Sequence, residues 1–173
     1  MGREIRRVPL YWEHPKEEKY NYQTSQYEDR FIPKYDEPYS KAAKEWMADY
    51  ALWLDGKHPN FQQDAYYWDA VGTPPYARHY LPDFEGMEMG YCLYETVSEG
   101  TPVSPVFATK ELLAEYLAEH GDFWDQKRGH GGWSIERAMA FCESGWAPSF
   151  IMGENTGLVE GKLFVPLPLE VSE

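Results

Sequence analysis

Cysteine is scarce in this chain: Cys92 and Cys142 are the two in 173 residues, too few for the disulfide framework of a small secreted domain. Each sits in an apolar pattern, so both are expected to be buried free thiols in a reducing compartment. Long hydrophobic runs are missing as well. No stretch approaches the ~20 apolar residues of a membrane span. MGREIRRVPLYWEHP carries charge but no continuous apolar core before its prolines, so a signal peptide is not expected. Its Met-Gly start is followed by Arg6, where a myristoylation signal needs Ser or Thr.

Positive charge is in deficit: 16 Lys and Arg stand against 29 Asp and Glu, a formal net charge of −13. The balance is nearly even over residues 1–40 (7 basic, 8 acidic) and negative over 41–100 (4 and 10) and 101–173 (5 and 11). Phosphate backbones repel such a chain, which argues against direct nucleic-acid binding, whereas a protein with a basic surface is steered toward it. The competing explanation is that acidic faces only keep the protein soluble.

Motifs for familiar chemistries are also lacking. His14, His58, His79, His120 and His130 form no HExxH, HxH or Cys-His pair at ligand spacing. His14 and His58 precede prolines in loops, where exposure is expected, and His120 suits the negative end of a helix. GHGG (129–132) lacks the GxxxxGK[ST] spacing of a phosphate loop. The serines include no GxSxG. No catalytic residue, metal site or cofactor is nominated.

Aromatic residues are abundant: 14 Tyr, 8 Phe and 7 Trp. Tyr and Trp join a large apolar body to a polar tip, which suits half-exposed positions and interfaces. Three amphipathic helices stand out. In SKAAKEWMADYALWLDG, Ser40 is a natural N-cap, Gly56 a stop, and Ala43, Trp46, Met47, Tyr50, Ala51 and Leu54 share one face. Thr109 caps KELLAEYLAEH, with Leu112, Leu113, Tyr116 and Leu117 as its stripe, and Gly121 ends it. Ser134 caps a third, with Ile135, Ala138, Met139 and Cys142 in register and Gly145 as its stop. DFWDQKRGHGG reads as a connector, and DAYYWDAV as a short helix. GTPPYARHYLPDFEG is a proline-stiffened loop, functional or a strap held by Tyr76, Tyr80 and Phe84.

YCLYETV (91–97) and VSPVFA (103–108) predict an antiparallel hairpin turned by SEGTP, with Pro105 at an edge or a bulge. REIRRVPLYW begins like a strand, but Pro9 argues against a central one. WAPSFIM and LVEGKLFVPLPLEV look like short strands. Residues 20–39 read as extended, with Phe31, Ile32 and Tyr35 as anchors. Strands and helices intersperse without regular βαβ alternation, so the expected class is α+β. The expected organisation is one domain over 1–173, with residues 1–39 as an N-terminal arm packed on it.

The hairpin concentrates Glu95, Thr96, Ser98, Glu99, Thr101 and Ser104 around one tip. Glu95 stands between Leu93 and Val97 on a face that is otherwise apolar, and a carboxylate there needs a partner. Arg6 or Arg7 would pair with it. The candidate binding residues are therefore Glu95, Ser98, Glu99, Thr101, Ser104, Arg6 and Arg7, with ordinary loop polarity as the alternative.

GREIRRVPLYWEHP, YETVSEGTPVSPVFATKELLAEYLAEHG and GWAPSFIM together resemble, in that order, a group of uncharacterised proteins of tailed bacteriophages and prophages. They cover about a third of the chain, and residues 20–88 carry none of the resemblance. It implies a phage setting and the host bacterial cytoplasm, and it brings no catalytic residues. The expectation is a non-enzymatic accessory protein that binds a host or phage protein with a basic surface, inhibition of a host defence system being one version. Two alternatives stay open: a small-molecule or nucleotide site near the 95–104 hairpin, enzymatic or not, and a virion component.

Overall fold

The computed structural model describes residues 2–97, 100–148, 150–153 and 157–160. The fold is α+β, and the chain divides into two compact units, one from residues 1–33 and 86–173, the other from 34–85.

In the first unit, β1 (Arg3–Pro9), β6 (Met89–Glu95), β7 (Thr101–Phe107) and β8 (Trp146–Ala147) form an antiparallel sheet in the order β7-β6-β1-β8. β1 is thus inside the sheet despite Pro9. The proline is tolerated because β8 pairs with Arg3 and Glu4, and among the described residues no strand pairs with the Pro9 end of β1 on that side. Pro105 meets both of its expectations. β7 is an edge strand, and its pairing with β6 shifts between Cys92 and Tyr94. At that bulge the Leu93 amide donates to the Ser104 hydroxyl at 2.9 Å.

Three helices follow: α3 (Lys110–His120), α4 (Phe123–Arg128) and α5 (Ile135–Ser144). Thr109 Oγ1 accepts from the Leu112 amide and Ser134 Oγ from the Arg137 amide, while Gly121 and Gly145 terminate at positive φ. α3 and α5 bury their stripes on one sheet face around Leu93, Leu113, Leu117, Ala138 and Phe141. The stripes sit slightly rotated from expectation. Leu112 and Ile135 are exposed, and Ala114, Ala140 and Phe141 take inner positions.

The stretch expected to be a connector contains α4. Its start is a reciprocal capping box: Asp122 accepts from the Trp124 and Asp125 amides, and Asp125 accepts from the Asp122 amide. Six residues are too few to display a period, so the caps define it instead. GHGG is explained by packing. Gly129 is the left-handed stop of α4, and a Cβ on Gly132 would meet the Ala118 carbonyl oxygen at 1.8 Å. That approach lets the Trp133 amide donate to the Leu117 carbonyl at 2.9 Å, as a second donor beside the Gly121 amide that ends α3.

The segment read as an arm is divided among three settings. Residues 3–9 are β1; β2 (Lys16–Asn21) and β3 (Gln26–Phe31) form a separate antiparallel ribbon; β4 (Tyr35–Pro38) belongs to the second unit. β9 (Phe150–Gly153) and β10 (Gly157–Glu160) pair as a two-stranded sheet; the rest of the strand expected over LVEGKLFVPLPLEV lies outside the described residues.

In the second unit, β4 pairs in parallel with β5 (Tyr80–Leu81), and between them run α1 (Tyr39–Leu54), α2 (Tyr67–Ala70) and a 3₁₀ turn at Ala77–His79. Ser40 is not the cap. α1 begins at Tyr39 straight from the extended Pro38, and the Ser40 hydroxyl donates to Asp83 at 2.7 Å. The buried face of α1 is turned too: Ala42 and Trp53 are inside, whereas Met47 and Leu54 are 66% and 68% exposed. Trp53 decides the rotation by packing on Phe61, with ring centroids 4.8 Å apart. Trp46 stacks on Tyr50 and donates its indole N–H to the Gly72 carbonyl.

Candidate binding surface

Of the described candidates of the 95–104 hairpin, Glu95 and Thr101 pair directly across β6 and β7, and Ser104 sits at the bulge. Ser98 and Glu99 lie outside the described residues. Glu95 is buried, and its arginine is Arg3 rather than Arg6 or Arg7. The β1–β6 register sets Arg3 directly opposite Glu95 and sets Arg6 opposite Cys92, and directly paired residues point to the same sheet face. Arg3 Nη1 lies 3.6 Å from Glu95 Oε1, and Arg3 Nε donates to Asp122 Oδ2 at 2.8 Å. Trp124 Nε1 donates to Glu95 Oε2 at 3.0 Å, and Trp133 Nε1 to Asp125 Oδ2 at 2.8 Å. Charges this deeply buried persist only when paired and hydrogen-bonded. Here the carboxylates are occupied in tying β1 and β6 to α4.

Arg6 is buried on the opposite face, with its guanidinium 4.7 Å from the Tyr94 ring centroid and bonded to Glu4. Arg7 is exposed, over the Tyr91 ring at 5.5 Å. Thr101 is half-buried opposite Glu95. Ser104 serves the bulge. His14, expected in an exposed loop, is buried instead. Its ring nitrogens bond the Tyr94 hydroxyl at 3.1 Å and the Ile32 carbonyl at 2.7 Å. Cys92 and Cys142 are buried free thiols. Burial pushes each up to about 12, away from thiolate chemistry at neutral pH. Among the described residues no group of three potential metal-ligating side chains occurs, and no helix is long and apolar enough to cross a membrane.

What the first unit does present outward is aromatic. On the β2–β3 ribbon, Tyr22 and Tyr27 are 87% and 71% exposed, and Tyr20 is 41% exposed. Their rings meet edge-on, Tyr20 being 5.1 Å from Tyr22 and 5.3 Å from Tyr27. The turn between the strands is fixed from within. Asn21 Nδ2 donates to both Glu28 oxygens at 2.9 Å, Thr24 Oγ1 donates to Glu28 Oε1 at 2.8 Å, and Ser25 adopts φ 55°. Those bonds hold the Glu28 carboxyl below its ordinary range. The composition of the tip, NYQTSQY, matches what evolved paratopes use: rigid Tyr for contact area, and Asn, Gln, Ser and Thr for adaptable hydrogen bonds.

Phe31 ends the ribbon and borders a groove of ≈ 240 Å³, lined also by Pro102, Pro105, Tyr116 and Phe123, with Ser104 and Gln126 as polar members. The second unit has a cavity of its own, ≈ 420 Å³, lined by Asn60, Phe61, Gln62 and Asp69 among others. The signal for the ribbon was present in the sequence as surplus tyrosine; its location was not, since KEEKYN and QYEDRF show no apolar alternation.

Comparison of the chain with protein-family models, curated proteins and solved structures finds no match.

Proposed function

We propose that this is a phage-encoded accessory protein that acts by binding a partner protein, with the tyrosine-rich ribbon as its principal contact surface. The observation that carries the reading is the outward set Tyr20, Tyr22 and Tyr27 on a ribbon whose turn is pre-ordered by Asn21, Thr24 and Glu28. Large aromatic faces held in place before contact lose little side-chain freedom on binding. A net charge of −13 favours a partner with a basic surface and raises the rate of encounter. The resemblance to phage proteins supports a role in the infected bacterial cytoplasm, and occupation of a basic, nucleic-acid-binding surface on a host defence protein is the form we favour.

The test is capture of partners from host lysate on the immobilised chain across a salt series. The reading expects a discrete partner whose retention falls as ionic strength rises. Recovery of no salt-sensitive partner, or equal recovery by a chain with Tyr20, Tyr22 and Tyr27 changed to Ser, sinks it.

A further inference from the structure

We propose that the cavity of the second unit, beside α2, binds a neutral sugar ring, a pyranose without phosphate or carboxylate. Its volume of ≈ 420 Å³ falls within the range of about 300–1,000 Å³ usual for small-molecule sites. One wall is the exposed ring of Phe61, and that ring is held in place. It packs on buried Trp53 with centroids 4.8 Å apart, and a Cβ at Gly56 would lie 3.8 Å from its Cε1 and Cζ. The loop that carries it is fixed by its own backbone. The Asn60 amide donates to His58 Nδ1 at 3.2 Å, the Phe61 amide to the His58 carbonyl at 2.9 Å, and the Ala65 amide to the Gln62 carbonyl at 3.2 Å.

The side chains around the ring are the opposite case. Asn60, Gln62 and Asp69 line the cavity, and among the described residues their side chains make no hydrogen bond or ion pair. Two amides and a carboxylate thus offer donors and acceptors together around one apolar face. A pyranose has the matching distribution: hydroxyls at its rim that donate and accept, and C–H groups on its face. Those C–H groups are partly positive and meet the negative face of an aromatic ring. Charge excludes the anionic relatives. Asp69 is the charged side chain of the lining, and residues 34–85 hold 9 Asp and Glu against 5 Lys and Arg. A sugar phosphate is repelled there, and among the described residues no Lys or Arg lines the cavity to receive it.

This site is built from other residues than the ribbon, so it stands or falls independently of the partner-binding role. Its test is an NMR titration of the isotope-labelled full chain with methyl glycosides of glucose, galactose, mannose and N-acetylglucosamine at millimolar concentration. Phosphorylated glucose and adenosine are the controls. At least one glycoside is expected to give saturable shifts at the side-chain amides of Asn60 and Gln62 and at the Phe61 backbone. Both controls should bind about tenfold more weakly. Asn60→Ala and Gln62→Ala, at exposed positions, should each weaken glycoside binding about fivefold. Asp69→Asn keeps the shape and removes the charge, so it should bring phosphorylated glucose to within about twofold of the glucoside. Thermal melting of the three variants checks that the fold is retained. No shifts at these residues with any glycoside, equal binding of either control, or indifference to all three substitutions overturns the assignment.

Discussion

The two units are held together by different means. In the first, aliphatic and small side chains interdigitate between the sheet and helices α3 and α5, and Leu93, Leu113, Leu117 and Phe141 have no exposed surface. In the second, the buried set is short: Ala42, Trp53 and Leu81, with Lys34. There the packing is carried by rings meeting at their faces and edges, such as Trp46 with Tyr50, Tyr50 with Tyr67 and Trp53 with Phe61. An aliphatic core spreads its stabilisation over many small contributions. A ring-held unit concentrates it in a few side chains, so single substitutions there should act as switches on local order.

The largest effect is expected in the first unit all the same, at its buried ion network. Asp122→Ala leaves Arg3 short of its closest acceptor and takes the cap from α4. Loss of one partner of a buried pair costs about 3–5 kcal/mol, visible as a lower urea midpoint. Next, Trp53→Ala should cost about 3 kcal/mol, and hydrogen exchange should show protection lost first over residues 34–85. Equal loss over residues 86–148 would break the comparison. Smaller again, Gly132→Ala forces a Cβ toward the Ala118 carbonyl, and relieving that overlap costs about 1–3 kcal/mol, read from the same urea curves.

The thiols sharpen the comparison through pH. Burial raises Cys92 and Cys142 to about 12 from an ordinary 9.0, so the folded chain holds protons that the unfolded chain gives up. Their contribution is therefore complete below pH ~9 and is lost as pH rises toward ~12, with a slope of at most about 1.4 kcal/mol per pH unit for each thiol. Cys142→Ala, at a site inside the α3–α5 core, should flatten that decline in urea midpoints; an unchanged slope would contradict the assignment.

Which features were legible in the sequence follows the same division. Thr109, Gly121, Ser134 and Gly145 marked the ends of α3 and α5 correctly, because capping is local chemistry. α1 was located but its face was not. Two stripes overlap on it, and the choice fell to Trp53, whose partner Phe61 lies outside the helix. α4 escaped because six residues carry no period, although Asp122 and Asp125 stood at capping-box spacing. The need of Glu95 for a basic partner was readable from its neighbours. That Arg3 supplies it depends on strand register, which a shift of one residue would have reversed. The tyrosine surplus was plain in the composition. Its concentration on a ribbon with two exposed faces was hidden, since no apolar alternation marks strands that bury neither side.

The most direct test of the binding account replaces Tyr20, Tyr22 and Tyr27 together by Ser and measures partner retention and thermal melting on the same preparation. The account predicts retention reduced at least tenfold, with a melting temperature close to that of the parent chain, because these rings face outward. Undiminished retention, or loss of retention only in step with loss of the fold, would contradict it.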